Sequence, residues 1–237
     1  MASDELEQKI ERLAALIFKS RKLVVFTGAG ISTESGVPDF RGPEGIWTRK
    51  AKGLPIEKKD WSKAVPNAGH LAIVELQKLK KLKFLISQNV DNLHLKSGID
   101  PDILAELHGN LTKVRCQSCE FIMDNFGDTD RCPLCQGDMK PSVVDFGQSL
   151  PRKALNEAAR QSQDCDLFLV AGSSLVVYPA ADMPRLAVER GAKLVIINSG
   201  ETPLDEAAEL KFEERTGLVL PAVLAKLKTL MAESGRN

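Results

Sequence analysis

The sequence predicts a doubly wound parallel α/β sheet carrying a small inserted module, and three observations support that class. Short apolar runs alternate with amphipathic stretches along most of the chain. The runs are apolar at consecutive rather than alternate positions, as expected of strands covered on both faces. The first run ends in a glycine-rich turn, and open α/β sheets bind ligands at such strand ends.

Leu6, Ile10, Leu13 and Ile17 recur at helical spacing, so residues 4–20 are expected to form a helix. Leu23 to Phe26 reads as a buried strand running into Thr27-Gly28-Ala29-Gly30. Residues 41–66 are rich in Gly, Pro and Lys and are expected to be a loop with at most a short helix. A helix over 67–81 leads to a strand at Lys83 to Ser87, and the lysines at 78, 80, 81 and 83 read as a solvated helix end. Residues 113–140 change character: four cysteines, few aliphatics, and turn residues such as Gly127, Asp128, Pro133 and Gly137. After them come a short strand at Ser142 to Val144, a helix after Pro151 and a strand at Leu167 to Ala171. A helix after Ala181, a strand at Lys193 to Ile197 and a last helix from about Pro221 complete the chain. The organisation expected is one Rossmann-like α/β unit from residues 1–112 and 141–237, with 41–66 as a short loop or helical insert and 113–140 as a separate module.

Composition excludes several classes. At 237 residues and 43% hydrophobic, the chain can build a core. Lys plus Arg and Asp plus Glu both number 32, so the basic footprint of a nucleic-acid binder is missing. Aromatics at 5% argue against a base-stacking or carbohydrate platform, and five cysteines are too few for a disulfide scaffold. The first twenty residues read as neither signal nor transit peptide. The most apolar stretch, 167–177, is too short to span a bilayer. A soluble, cytoplasmic protein with no membrane partner is expected.

Four constellations could carry chemistry. Gly28-Ala29-Gly30 lets the backbone turn tightly and approach a pyrophosphate. The dehydrogenase fingerprint is not met, because position 33 is Thr33 and no acidic residue closes a second strand about 20 residues on. A strand-to-helix turn without a ligand stays open. Cys116-x2-Cys119-x12-Cys132-x2-Cys135 has the spacing of two knuckles around a tetrahedral Zn²⁺. Four sulfurs would leave no open position, so such a site is structural; a pair of redox dithiols is the alternative. Cys165 reads as a small buried residue. Of the three histidines, His70, His94 and His108, the last lies in Glu106-Leu107-His108-Gly109-Asn110, as either a base or a hydrogen-bonded structural residue. Gln88-Asn89-Val90-Asp91-Asn92 sits where a parallel strand ends, and could read a carboxamide or ribose hydroxyls, or simply cap a helix.

Taken together these segments resemble the sirtuins, the NAD-dependent protein-lysine deacylases, over about residues 20–220. Residues 28–42, from Gly28-Ala29-Gly30-Ile31-Ser32 to Asp39-Phe40-Arg41-Gly42, resemble the family's nucleotide-binding signature. Gln88 to His94 resembles the second signature, His108-Gly109 the catalytic segment, and the four cysteines the zinc ribbon. Gly172-Ser173-Ser174-Leu175 and Ile197-Asn198 resemble the late nucleotide loops. The resemblance implies that Gly28, Ala29, Gly30, Thr33, Asp39, Phe40, Arg41 and Trp47 hold NAD around its pyrophosphate and nicotinamide ribose, and that Gln88 binds the ribose. It implies that Asn89 and Asp91 shape the nicotinamide pocket, that Gly172, Ser173, Ser174, Asn198, Gly200 and Val219 serve the adenosine half, and that His108 is the general base. Val144, Phe146 and Gly147 would meet the substrate peptide. Many members have Glu after that glycine, where this chain has Gln148. Gly42-Pro43-Glu44-Gly45-Ile46-Trp47 and the short 41–66 segment look most like the sirtuin-six-like branch, and the only tyrosine, Tyr178, leaves no match to the desuccinylating pattern.

The reaction so implied transfers the acyl group of an acyl-lysine to ADP-ribose with release of nicotinamide, with NAD as cofactor and a structural Zn²⁺. Two other readings stay open: a mono-ADP-ribosyltransferase using the same NAD site, and a non-catalytic NAD- or partner-binding module.

Overall fold

The computed structural model describes residues 2–56, 61–125, 127 and 130–235. Residues 57–60 of the predicted loop segment and Asp128 of the cysteine module lie outside the described residues.

Helix α1 (Ala2–Lys19) precedes strand β1 (Leu23–Thr27), which turns through a 3-10 helix over Ala29–Ser35. Helices α2 (Ile46–Ala51) and α3 (Ala68–Lys78) lead to β2 (Leu82–Ser87), α4 (Leu93–Ser97) and β3 (Leu104–Glu106). The cysteine segment contributes β4 (Lys113–Cys116), β5 (Ile122–Asp124) and β6 (Met139–Pro141). Then follow α5 (Arg152–Asp164), β7 (Leu167–Ala171), α6 (Asp182–Glu189), β8 (Lys193–Ile197), β9 (Leu210–Phe212) and α7 (Thr216–Ser234).

Six strands form one parallel sheet in the order β3-β2-β1-β7-β8-β9. All five residues of β1 and of β7 are buried, because successive side chains enter different cores. Leu23, Val25, Leu167, Leu169 and Val195 pack with residues of α1, α3 and α7 on one face. Val24, Phe26, Phe168, Val170 and Ile196 pack with α5 and α6 on the other. Strands buried on both faces have no polar alternation, which is why the sequence shows unbroken apolar runs there. The cysteine segment builds a separate three-stranded antiparallel sheet, β5-β4-β6, around Val114, Cys116, Cys132 and Met139.

Two expectations are corrected. No strand forms at Ser142–Val144; the strand is β6, three residues earlier. The later segment makes only single main-chain bonds, Ser142 N–H to the Lys113 carbonyl and Val144 N–H to the His108 carbonyl, and its other side borders a cavity instead of a ladder. The last helix starts at Thr216, so Pro221 lies inside it. Proline there forgoes one intrahelical bond, and burial of Val219, Leu220, Val223 and Leu227 offsets that loss. Strands β3 and β9 were not expected, because three residues carry no readable period.

The chain leaves β1 toward β2 on one side and reaches β7 on the other, so the sheet's switch point lies between β1 and β7. The two loops that leave it touch. Gly30 N–H donates to the Gly172 carbonyl at 2.8 Å, and Gly172 has a φ of +71°. A β-carbon on Gly172 would lie 2.3 Å from the Ile31 nitrogen, and one on Gly28 would lie 2.7 Å from the Gly172 oxygen. Gly172→Ala must therefore displace main chain and adopt a strained φ; we expect a loss of several kcal/mol of stability, read as a lowered denaturant midpoint. An unchanged midpoint would show that the loops can part at no cost.

Candidate active site

A cavity of about 800 Å³ opens at this switch point. Its walls come from the segments that follow β1, β2, β3, β7 and β8, and from the segment after β6. Ala29, Gly30, Asp39, Phe40, Arg41 and Trp47 follow β1; Gln88, Asn89 and Asp91 follow β2; His108 follows β3. Val144, Phe146 and Gly147 come from the segment after β6, Gly172, Ser173 and Ser174 from the end of β7, and Asn198 and Gly200 from the end of β8. Three residues expected at the cofactor do not line the cavity. Gly28 lies beneath the wall, at the contact with Gly172. Thr33 is exposed and its hydroxyl donates to the Gly30 carbonyl at 2.9 Å, closing the 3-10 turn. Val219 is fully buried in the core, because the apolar stripe of α7 turns its side chain toward the sheet.

The polar side is built around one histidine. His108 Nδ1 lies 2.9 Å from the Gln88 carbonyl oxygen. A carbonyl only accepts, so Nδ1 carries the proton and Nε2 keeps its lone pair. Burial pushes the His108 pKa below the ordinary 6.5, against the opposing pull of that carbonyl, so the ring is neutral at pH 7. Position is imposed by Gly109, whose φ is +78°; a β-carbon there would lie 2.0 Å from the Ser142 oxygen.

Beside it lies a buried acidic and amide cluster. Ser32 Oγ donates to Asp91 Oδ2 at 2.6 Å and accepts from Asn89 Nδ2 at 3.1 Å. Asp91 Oδ1 accepts the Leu93 N–H at 2.9 Å, so the same carboxylate also starts α4. The helix-cap reading and a pocket-forming role are thus compatible. Ser173 Oγ donates to Gln88 Oε1 at 2.7 Å, joining the ends of β2 and β7. On the apolar side the Arg41 guanidinium stands 4.2 Å over the Trp47 ring, which also meets Phe40 at 5.4 Å and Phe146 at 5.6 Å. Phe146 is 79% exposed. Trp61, Val143, Val176, Tyr178, Ser199 and Glu201 also line the cavity without having been expected. All but Trp61, which opens a 3-10 turn over Trp61–Lys63, are loop residues, and none has a periodicity to mark it.

The four cysteines converge elsewhere. Their Sγ atoms all lie within 4.8 Å of one another, with Cys116 to Cys135 at 3.5 Å and Cys119 to Cys132 at 3.7 Å. Sulfurs about 2.3 Å from a tetrahedral Zn²⁺ stand about 3.8 Å apart, so the donor set fits that ion. The N–H groups of Ser118 and Cys119 point at Cys116 Sγ, at 3.4 and 3.5 Å. They favour the thiolate at Cys116, whereas the neighbouring sulfurs of Cys119 and Cys116 push the Cys135 thiol up to about 12, so the sulfurs titrate as one set. Cys165 is different: burial pushes its thiol up to about 12, as expected of an inert core residue.

Comparisons with known proteins agree with this geometry. A family model described as Sir2 family matches residues 28–60 and 55–179. The chain is 44% identical to a rice NAD-dependent protein deacetylase, SRT1, over 92% of its own length, but spans only 48% of that relative. It is 39% identical to NAD-dependent protein deacylase 2 of Archaeoglobus fulgidus, over 96% of this chain and 100% of the relative. Among solved structures, one described as Sir2Af2 bound to a myristoylated histone peptide has a TM-score of 0.71 at 37% identity, covering 96% of this chain and 99% of that one. A Sir2–p53 peptide–NAD+ complex has a TM-score of 0.69 at 35% identity, covering 95% and 98%. No helix of the described residues is long and apolar enough to cross a membrane.

The other two histidines generate a stability prediction. His70 and His94 are buried with ring centroids 5.0 Å apart. Burial lowers His70 to about 4 despite Asp91 nearby, and lowers His94 to about 3 with His70 as a smaller cause. Both folded values lie below the unfolded one, so the unfolded chain binds protons first as pH falls. The stability contributed by keeping these rings neutral is whole above about 6.5 and is lost progressively toward about 4. The thermal midpoint should therefore fall from pH 6.5 to 4.5, and less steeply in His70→Gln. A midpoint flat over that range would contradict neutral burial.

Proposed function

The chain belongs to the Sir2 family, and on that premise we propose that it is an NAD-dependent protein-lysine deacylase whose general base is His108. The observation that carries the reading is the tautomer: a neutral, half-buried imidazole with Nδ1–H held by the Gln88 carbonyl and Nε2 free, on a cavity wall shared with Asn89 and Asp91. A pure binding module has no use for an oriented base.

NAD, when bound, supplies a ribose carbon activated by its nicotinamide leaving group. The residues of this chain position and exclude. The glycine contact at the switch point leaves room for a pyrophosphate against the main chain at Ala29, while the Gly30 N–H is held by the Gly172 carbonyl. Arg41, stacked on Trp47, brings a guanidinium to the cavity wall. Asn89 and Asp91, tied through Ser32, offer donor and acceptor atoms to a carboxamide. Gln88 reaches toward a ribose from the junction with Ser173. Gly172, Ser173, Ser174, Asn198 and Gly200 take the adenosine half. His108 Nε2 accepts a proton from the hydroxyl presented to it.

The segment through Val144, Phe146 and Gly147 borders the cavity with one main-chain edge unpaired in any ladder, which suits an extended acyl-lysine peptide. The apolar wall formed by Trp47, Phe146 and Val176 suits an acyl chain longer than acetyl. That wall and the short 41–66 segment support a place in the sirtuin-six-like branch. The four cysteines hold a structural Zn²⁺ in a ribbon over 113–140, inserted in an NAD-binding unit of 1–112 and 141–237.

Mass spectrometry of products from NAD with acetyl- and myristoyl-lysine peptides tests the activity. Nicotinamide and O-acyl-ADP-ribose should appear together, and His108→Ala should lower turnover about 10²–10⁴-fold while retaining ADP-ribose binding. Turnover at the native level in that variant would sink the assignment; nicotinamide release with a mass gain on protein would instead favour ADP-ribosyl transfer. Because burial lowers the His108 pKa, the acid limb of kcat/KM should lie below the ordinary histidine value of 6.5. Removing metal with a chelator, or Cys116→Ser, should lower the thermal midpoint and activity together. A metal-free protein that keeps both would have no structural metal.

A further inference from the structure

We infer that Asn110 is a positioning residue that ties the cysteine module to the nicotinamide side of the cavity by holding Asn92 in a left-handed conformation. The inference takes its ligand from the deacylase reading and its tie from side-chain geometry.

Asn110 is 1% exposed, and its polar atoms are all engaged. Its Nδ2 donates to Asn92 Oδ1 at 2.9 Å and to Glu106 Oε1 at 2.5 Å. Its Oδ1 accepts from both the N–H and the hydroxyl of Thr112, each at 2.9 Å. Its own N–H donates to Ser142 Oγ, and that hydroxyl donates back to the Asn110 carbonyl. The chain of contacts continues: Glu106 Oε2 meets Lys113 Nζ at 3.1 Å, with both side chains under 20% exposed, and Lys113 opens β4 of the cysteine module. One amide thus joins the end of β3, the module and the loop after β2.

What it holds is a strained turn. Asn92 has a φ of +65°, a region that asparagine tolerates and glycine adopts freely. The bond from Leu93 N–H to Asp91 Oδ1 spans Asn92, so the backbone angles of Asn92 set its geometry. If Asn92 relaxed, Asp91 would lose Leu93 and swing away from Ser32 Oγ, the atom that also accepts from Asn89. The main-chain bond from Leu111 N–H to the Val90 carbonyl joins the same two loops. Asn110 therefore sets the aim of Asp91, while the loop stays attached without it.

Asn110→Ala should raise the inhibition constant for nicotinamide about fivefold, the worth of one lost net hydrogen bond, with the ADP-ribose Kd unchanged. The Leu93 amide should also exchange with solvent faster. Asn92→Gly added to Asn110→Ala should restore both readings, because glycine holds the turn without a tether. A general loss of structure would lower the active fraction without moving the inhibition constant, and glycine would not repair it. If Asn110→Ala does not fold, Asn110→Ser replaces it. An unchanged nicotinamide constant and Leu93 exchange in Asn110→Ala, or failure of Asn92→Gly to restore them, overturns the inference. If the native protein consumes no NAD, the deacylase reading fails, and the exchange measurements still decide whether Asn110 holds the turn.

Discussion

The near-contact of the loops leaving β1 and β7 is the constraint on which the rest depends. Gly28 and Gly30 cross Gly172 at distances that no side chain survives. That crossing closes the floor of the switch-point crevice with main chain alone. The N–H groups of Gly28, Gly30 and Gly172 are spent within it, on the Ala171, Gly172 and Ile197 carbonyls, so the crossing is tied by main chain and the side chains of the site come from the loops around it. The flanking strands are buried on both faces, so the floor is anchored in two cores at once. A rigid floor is what lets single loop residues such as His108 and Asp91 be placed to within hydrogen-bonding tolerance.

Above that floor the chain keeps its buried imidazoles neutral. All three histidines sit below their ordinary pKa, and burial is the leading cause in each. A buried imidazolium without a partner costs more than a neutral ring that is hydrogen-bonded. His94 Nε2 reaches Thr27 Oγ1 at 2.8 Å, and Thr27 in turn donates to Ser87, so the neutral rings are built into the ends of β1 and β2. The same environment that makes His108 a free base thus makes the two strand ends next to it sensitive to acid.

Legibility in the sequence followed the physics of each segment. Strands β1, β2, β7 and β8 were readable because coverage on both faces leaves them almost wholly apolar, with Lys83 in β2 and Lys193 in β8 the exposed exceptions. Strands β3 and β9 were not, since three residues with one partner strand carry no pattern, although β3 delivers His108. The extended segment at 142–144 has a strand's composition but lacks a partner along its cavity side, so composition misplaced the strand. Pro221 pushed the expected start of α7 five residues too late, because its local cost is visible in sequence and the burial that offsets it is not. In the site, glycines and the run from Gln88 to Asn92 announced themselves, being residue types with few other reasons to cluster at a strand end. Val219 carried no such mark and belongs to the core. Tyr178 and Glu201 are isolated loop residues, and Trp61 opens a three-residue 3-10 turn; the place of each on the wall is set by tertiary packing.

The cysteine module explains how a short edge strand can hold a base in place. β3 pairs only with β2, and an edge strand of three residues frays readily. The far side of His108 is closed by the segment leaving the module: its carbonyl accepts the Val144 N–H, and Gly109 packs on the Ser142 oxygen. Yet the module's own core is Val114, Met139 and two of the four cysteines, too little apolar surface to persist alone. A metal held by the four converging sulfurs would supply the missing cohesion. The buried Glu106–Lys113 pair then carries that rigidity back to the residues flanking His108. A metal at the cysteines would therefore act through mechanical support of the β3 loop, since none of the four cysteines lines the cavity.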